Sequence, residues 1–167
     1  MTASLPRQLK AFNLYSDGES FAGRIDTLTL PALNYLVEAH RAGGMDAPKE
    51  IELGMEVMTA TMVLSDYSPR LVTLLGKDNV PFVARGGVQR QGANPEPVII
   101  NMRGMLKTSE WSEWNPGTKS TNTFTLTLDY LRFRQNGVQL VEIDILNMQR
   151  TFGDEDQLAA LRAAIGL

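Results

Sequence analysis

The feature that most constrains this chain is the run TFTLTLDYLRFRQNGVQLVEIDIL, Thr123 to Leu146. Apolar and polar residues alternate with period two on both sides of Asn136-Gly137, the pair that best tolerates the positive φ angles of a type I′ turn. The pattern predicts an antiparallel hairpin in which Gln135 faces Val138, Tyr130 faces Ile143 and Leu128 faces Ile145. One face is then apolar: Phe124, Leu126, Leu128, Tyr130, Val141, Ile143 and Ile145. The other sets Asp129 opposite Asp144, with Thr125, Thr127 and Glu142 nearby. Opposed carboxylates disfavour pairing unless water or a cation relieves them. Towards the turn the pattern swaps, so Leu131, Phe133 and Leu140 join the acidic face while Arg132 and Arg134 take the other. Two readings stay open. Either a neighbouring subunit covers the apolar tip, or a β-bulge near Tyr130 and Leu131 restores the phase and the acids face water.

Most of the remaining sequence repeats this two-residue period between glycine and proline punctuation. Strands are expected near Lys10 to Ser16, Ser20 to Leu30, Asn34 to His40, Ile51 to Leu64, Phe82 to Gln91, Val98 to Thr108, Thr121 to Arg134 and Val138 to Asn147. Two short helices interrupt them. In SPRLVTLLGK, Ser68 caps, Pro69 suits the first helical position and Gly76 suits the end. In GDEDQLAALRAAIGL, Asp154 is the expected cap, and Leu158, Leu161 and Ile165 form an apolar stripe.

The 167 residues are enough for one sizeable core and predict a single domain. Sixteen basic and nineteen acidic side chains are scattered without a basic block, which argues against tight nucleic-acid binding. The absence of cysteine rules out disulfides and thiolate metal sites, and His40 is the sole histidine, so no His-rich metal site can form. Neither cofactor nor metal is expected. No apolar run approaches a membrane span, and MTASLPRQLKAF lacks a signal-peptide core, so a soluble protein made in the cytoplasm is predicted. Asp154 to Asp156 reads as helix-start charge, and the acids offer no positive support for a catalytic pair. A β-barrel binding module or hydrolase is the alternative of a different class.

HRAGGMDAPKEIELGME, His40 to Glu56, with LTLPALN before it and VEIDILNM and DQLAALRAAIGL at the end, resembles the major tail tube proteins of contractile-tailed phages. It looks especially like the tube subunits of R-type pyocins. MRGMLK, Met102 to Lys107, and NPGTK, Asn115 to Lys119, fall in the same order. The resemblance implies a mainly β subunit of two packed antiparallel sheets with two short helices. It implies homohexameric rings whose inner sheets join as one barrel around a lumen, stacked into a tube within a contractile sheath. DNA passes through that conduit without specific binding, or, in a pyocin-like bacteriocin or injection particle, no DNA is carried. Further partners implied are a tape-measure protein in the lumen and baseplate and tail terminator proteins, with no membrane. The place implied is the virion tail, assembled in the host cytoplasm.

By loop chemistry alone, RAGGMDAP is an ordinary mobile hairpin loop. The resemblance makes it an inter-ring contact, in which Arg41, Gly43, Gly44, Met45, Asp46 and Pro48 meet the next ring and Met45 supplies an adaptable apolar plug. It also turns the hairpin acids Asp129, Glu142 and Asp144, with Glu38, Glu52 and Glu56 from the preceding strand pair, into candidates for a lumen or interface wall. Leu131, Phe133 and Leu140 become candidate contacts at the hairpin tip. Trp111 and Trp114 read as core or subunit contacts.

Overall fold

The computed structural model describes residues 5–167. The first four residues, part of the stretch read as lacking a signal-peptide core, lie outside the described residues. The elements are β1 (Gln8–Ser16), β2 (Glu19–Ser20), β3 (Ile25–Thr29), β4 (Tyr35–His40), β5 (Lys49–Met55), β6 (Met58–Leu64), α1 (Pro69–Thr73), β7 (Val80–Gln89), β8 (Glu96–Trp111), β9 (Asn122–Gln135), β10 (Val138–Asp144), β11 (Gln149–Phe152), β12 (Glu155–Asp156) and α2 (Ala159–Ile165). The fold is mainly β with two short helices and two antiparallel sheets, as expected. Ten strands run in one sheet of order β12-β11-β10-β9-β8-β7-β1-β2, with β6 also on β9 and β3 on β6; β4 and β5 form a separate ribbon.

The long strand β9 organises the molecule. One edge pairs with β8 along nearly its whole length; the other pairs first with β6, from Asn122 to Leu128, and then with β10, from Tyr130 to Gln135. Between the two halves Asp129 is an extra residue, because Leu128 faces Gly104 while Tyr130 faces Arg103. This bulge reverses which side of the strand is buried. Before it Phe124, Leu126 and Leu128 enter the core; after it Leu131 does, with Phe133 packed against the same cluster. The sheet thereby folds into two layers over one core, β3-β6-β9-β8 on one side and β10-β9-β8-β7-β1 on the other. Met62, Leu106, Phe82 and Leu14 fill the space between them.

A second bulge changes the predicted hairpin. Asn136 and Gly137, at φ 48° and 80°, make the expected turn, and Gln135 faces Val138. The register then shifts between Gln139 and Val141, so Ile143 faces Leu131 and Asp144 faces Tyr130. Asp129 and Asp144 are therefore not opposed. Leu131 is buried and Phe133 packs against the core, so neither is an exposed tip contact. Leu140, at the shift itself, is half-buried, and the exposed apolar residue at the tip is Val138. The bulge expected near Tyr130 and Leu131 is present at Asp129, but the acids do not simply face water, since Asp144 is buried.

Other boundaries also move. The strand expected from Ile51 to Leu64 breaks at Glu56 and Val57, and the one from Ser20 to Leu30 breaks into β2 and β3. α1 starts as predicted, with the Ser68 hydroxyl accepting from the Leu71 N–H. Asp154 does not cap α2: the helix begins later, and Asp156 Oδ1 instead accepts from the Leu158 N–H at 3.1 Å. No residue of α2 is buried, so its apolar stripe lies on the surface.

Candidate assembly surfaces

Three surfaces carry the residues singled out by sequence, together with features that escaped it. The first is the β4–β5 ribbon. Leu36, Val37, Ile51 and Leu53 are all exposed, although Val37 pairs with Glu52 and Ile51 with Glu38, which puts apolar groups on both faces. An isolated two-stranded ribbon is marginal in water. Its base is clamped to the body: Arg150, whose side chain is 7 % exposed, donates to Glu52 at 2.8 Å and lies over the Tyr35 ring, while the Tyr35 hydroxyl donates to Gln157. The Arg150 guanidinium holds the Glu52 carboxyl below its ordinary range. At the far end Arg41, Gly43, Gly44, Asp46 and Pro48 are exposed, and Met45 folds back so that its N–H donates to the Ala42 carbonyl. Gly44, at φ 87°, makes that turn. Beside the base, a groove of about 680 Å³ is lined by Met55, Val57, Ile145, Leu158 and Leu161 among others.

The second surface is the outward face of the β3-β6-β9-β8 layer. Thr29, Thr61, Thr125 and Thr108 lie in one row across four strands; Thr27, Val63, Thr123 and Glu110 form the next, and Thr59 pairs with Thr127 below. The face is dominated by hydroxyls and methyls, with little charge. Its sequence signal was threonine at every second residue in three separate strands. Asp129 is the one acid of the six candidates on β9's part of this face, at the bulge, with its carbonyl accepting from the Ile145 N–H. Among the described residues the layer ends in two strands with open edges: β3 pairs with β6 alone, and β8 beyond Gly104 pairs on one side with β9 alone, apart from the Gly76 N–H donating to Leu106.

The third surface is the polar face of the wide layer, which holds two of the six candidate acids. Glu142 pairs across from Arg132 and accepts from the Tyr130 hydroxyl at 2.7 Å and from Gln139 at 2.9 Å. Burial, and then that carboxylate, push the Tyr130 hydroxyl up from its ordinary value. Asp144 is 8 % exposed; it accepts twice from Asn147 and stands 3.7 Å from Arg103, which covers the Tyr130 ring. Arg85, Arg103, Arg132 and Arg134 share this side, and the bulge at Asp129 is what turns Arg132 and Arg134 to it. The six acids thus fall in three places: Asp129 beside the threonines, Glu142 and Asp144 among arginines, and the others on or beside the ribbon. There Glu38 and Glu52 point to opposite faces, and Glu56 accepts from Asn34.

Comparison with known proteins bears on what these surfaces are for. Residues 6–166 match the family model described as phage tail tube protein FII. The chain is 29 % identical over 171 aligned residues to the tail tube protein of Escherichia phage P2, covering 98 % of this chain and 99 % of that one. It is 27 % identical to the major tail tube protein of Serratia phage KSP20, with 86 % of each covered. Among solved structures, the fold is similar to a chain of the sheath/tube terminator of the extracellular contractile injection system PVC, at a TM-score of 0.61 and 8 % identity over 80 % of this chain and 99 % of that one. It is also similar to the tube terminating cap of the anti-feeding prophage, at a TM-score of 0.62 and 9 % identity over 80 % and 94 %.

Proposed function

The chain belongs to the phage tail tube protein FII family, and from that premise we propose that it is the repeating subunit of the inner tube of a contractile tail. As a tail tube protein it has a structural role and is not an enzyme. Homohexameric rings stack into the tube, and DNA passes through the lumen without being bound specifically. The observation that carries the reading is the pair of open edges on the threonine-faced layer, β3 on one side and the far half of β8 on the other. Open edges invite uncontrolled pairing, and joining each to the next copy in a closed ring removes them. In this arrangement the threonine face lines the lumen, with Asp129 as its contribution from the sequence-derived acids. A hydroxyl-rich, weakly charged wall gives phosphates little to hold.

The ribbon fits the same scheme. Apolar residues on both of its faces gain cover when neighbouring subunits flank it, and the Arg41 to Pro48 loop then meets the next ring. The sheath, the terminator, the baseplate and a tape-measure protein are the partners such a tube needs, in a virion tail assembled in the host cytoplasm. Two phage relatives favour a DNA conduit over a bacteriocin or injection particle that carries none. Negative-stain electron microscopy of purified protein tests the reading: rings or tubes are expected, and monodisperse small particles at high concentration would overturn it.

A further inference from the structure

The chain carries a formal net charge of -3, yet the outward face of the wide layer is basic. Pairing across the strands sets Arg134 and Arg85 in one row with Ile99 between them, Arg132 beside Asn101 in the next, and Tyr130 beside Arg103 in the one after. The acids that adjoin these rows on β10 are already engaged: Glu142 accepts from Tyr130 and Gln139, and Asp144 accepts from Asn147. Arg103 stands 3.7 Å from Asp144, but Arg85, Arg132 and Arg134 make no hydrogen bond or ion pair among the described residues. The Nε atoms of Arg132 and Arg134 are covered and unbonded, so their terminal amino groups are what a partner meets.

A guanidinium fork takes a carboxylate through two parallel N–H···O bonds, a geometry that lysine cannot offer. Here the forks stand on a fixed lattice. β7, β8 and β9 are interior strands, so Arg132 and Arg134 are held about 7 Å apart along one strand, and Arg134 and Arg85 about 10 Å apart across two. Arg85 and Arg103 are further backed by the rings of Tyr15 and Tyr130. Charges held in place lose less freedom on binding than mobile surface side chains do. Such a lattice fits several carboxylates carried on one protein surface.

The arginine face and the threonine face point away from each other across the core, because β9 turns Thr125 and Thr127 outward on one layer and Arg132 and Arg134 outward on the other. With the threonine face on the lumen, the arginines look out from the tube, towards the protein that encloses it. We propose that Arg85, Arg103, Arg132 and Arg134 dock carboxylates on the inner wall of the surrounding sheath. The inference rests on the tube reading, and it adds which face makes that contact and its charge, cationic on the tube and acidic on the sheath. Phosphates also fit arginine forks, but the core separates these from the lumen wall where DNA passes.

Two measurements on the full chain test this. Wild-type tubes should bind fluorescein-labelled poly-L-glutamate, read by anisotropy, and Arg85→Gln with Arg134→Gln should weaken that binding at least tenfold while keeping the circular dichroism spectrum. Both arginines pair across from uncharged residues, so the change strands no acid. Wild-type tubes assembled with the sheath protein of the same particle should be sheathed in negative stain, and R85E/R134E tubes should stay bare. Variant tubes that are sheathed like wild type, or that hold polyglutamate as tightly, refute the contact and leave the tube reading standing. Sheathed R85E/R134E particles that release DNA faster than wild type would give the arginines to DNA and refute it as well. Folded variants that build no tubes would show that the arginines hold copies of this chain together, which again refutes the sheath contact. Wild type that builds no tubes at all overturns both readings.

Discussion

Gly104 and Thr127 touch backbone to backbone: a Cβ at Gly104 would stand 2.0 Å from the Thr127 carbonyl oxygen and 2.8 Å from the Leu128 Cα. The contact exists because β9 inserts Asp129 opposite the step from Gly104 to Arg103, which draws the two strands together at the corner between layers. Neither backbone can retreat without moving the residues that switch from one core face to the other. Gly104→Ala should therefore destabilise the subunit by about 3 kcal/mol or more, a large effect for one methyl group. Urea unfolding followed by circular dichroism measures it, and a change below about 1 kcal/mol would mean the corner is soft.

That corner also marks the limit of what the sequence made legible. Alternation identified the strands, Asn136-Gly137 identified the turn, and Ser68-Pro69 identified the start of α1, since each is a local preference written in consecutive residues. A bulge is not. Whether Asp129 or a neighbour becomes the extra residue depends on Gly104, distant along the chain, and on which side chains the core accepts. Without the bulge at Asp129, which stood only as one of two readings, Leu131 and Phe133 point outward on paper, and the unread shift between Gln139 and Val141 set Asp144 against Asp129. The threonine face was legible only in part, because Thr125 and Thr127 show the period but not that Thr29 and Thr61 continue their row. The packing of the exposed Trp111 and Trp114 on Tyr67 depends on a residue arriving from another loop. Spacing could not reveal it.

The two hairpin acids should now behave differently. Asp144 is buried and accepts from both the backbone and the side-chain amide of Asn147. Asp144→Ala should cost roughly 2 kcal/mol, the range for lost hydrogen bonds to a charged group. Asp129 makes no such side-chain bonds among the described residues, and Asp129→Asn should leave stability within about 0.5 kcal/mol of wild type. Paired denaturation curves decide between this picture and the symmetrical one expected from sequence; equal losses would restore the latter.

Acid should loosen the fold through three carboxyls held below their ordinary range. Lys119, and then Ser65, lower Asp26; Arg150 lowers Glu52; Arg162 lowers Asp156. Because their folded values are depressed, each stabilises fully above the ordinary value of about 4 and loses that contribution as the pH falls through the folded value. Stability should be level from about pH 7 to pH 5 and fall below about pH 4. Glu52→Gln should flatten part of that slope, and at neutral pH it should speed amide exchange in Tyr35 to Met55 more than in the core. Exchange rates unchanged in the ribbon would show that the Arg150 clamp does not hold it.

The ribbon tip makes a separate prediction. Met45 is folded back within an otherwise exposed loop, so Met45→Asp leaves the subunit core untouched. If the loop meets the next ring, the new carboxylate is buried there without a partner and stacking should fail. Circular dichroism should stay unchanged while scattering from tubes disappears. Normal tube growth would return the loop to solvent.

The lumen assignment can be tested through charge alone. Thr125 lies mid-row on the threonine face and Asp129 at its corner, and both are partly exposed in the subunit. Threonine to lysine at position 125 adds one positive charge per copy, and aspartate to lysine at 129 changes the charge by two. If this face lines the tube, every ring repeats the change, and passing phosphates meet rings of ammonium groups. DNA release from particles carrying Thr125→Lys should slow at low salt and recover as salt is raised, because each phosphate contact releases counterions that salt then competes to restore. Asp129→Lys should slow it further. The same substitution on the opposite face supplies the control: Gln139→Lys, beside Arg134 on the wide layer, should leave release unchanged. Fluorescent-dye uptake by the emerging DNA gives the rate. Slow release from the Gln139 variant with normal release from the Thr125 variant would exchange the two faces, and put the arginine-bearing layer in the lumen.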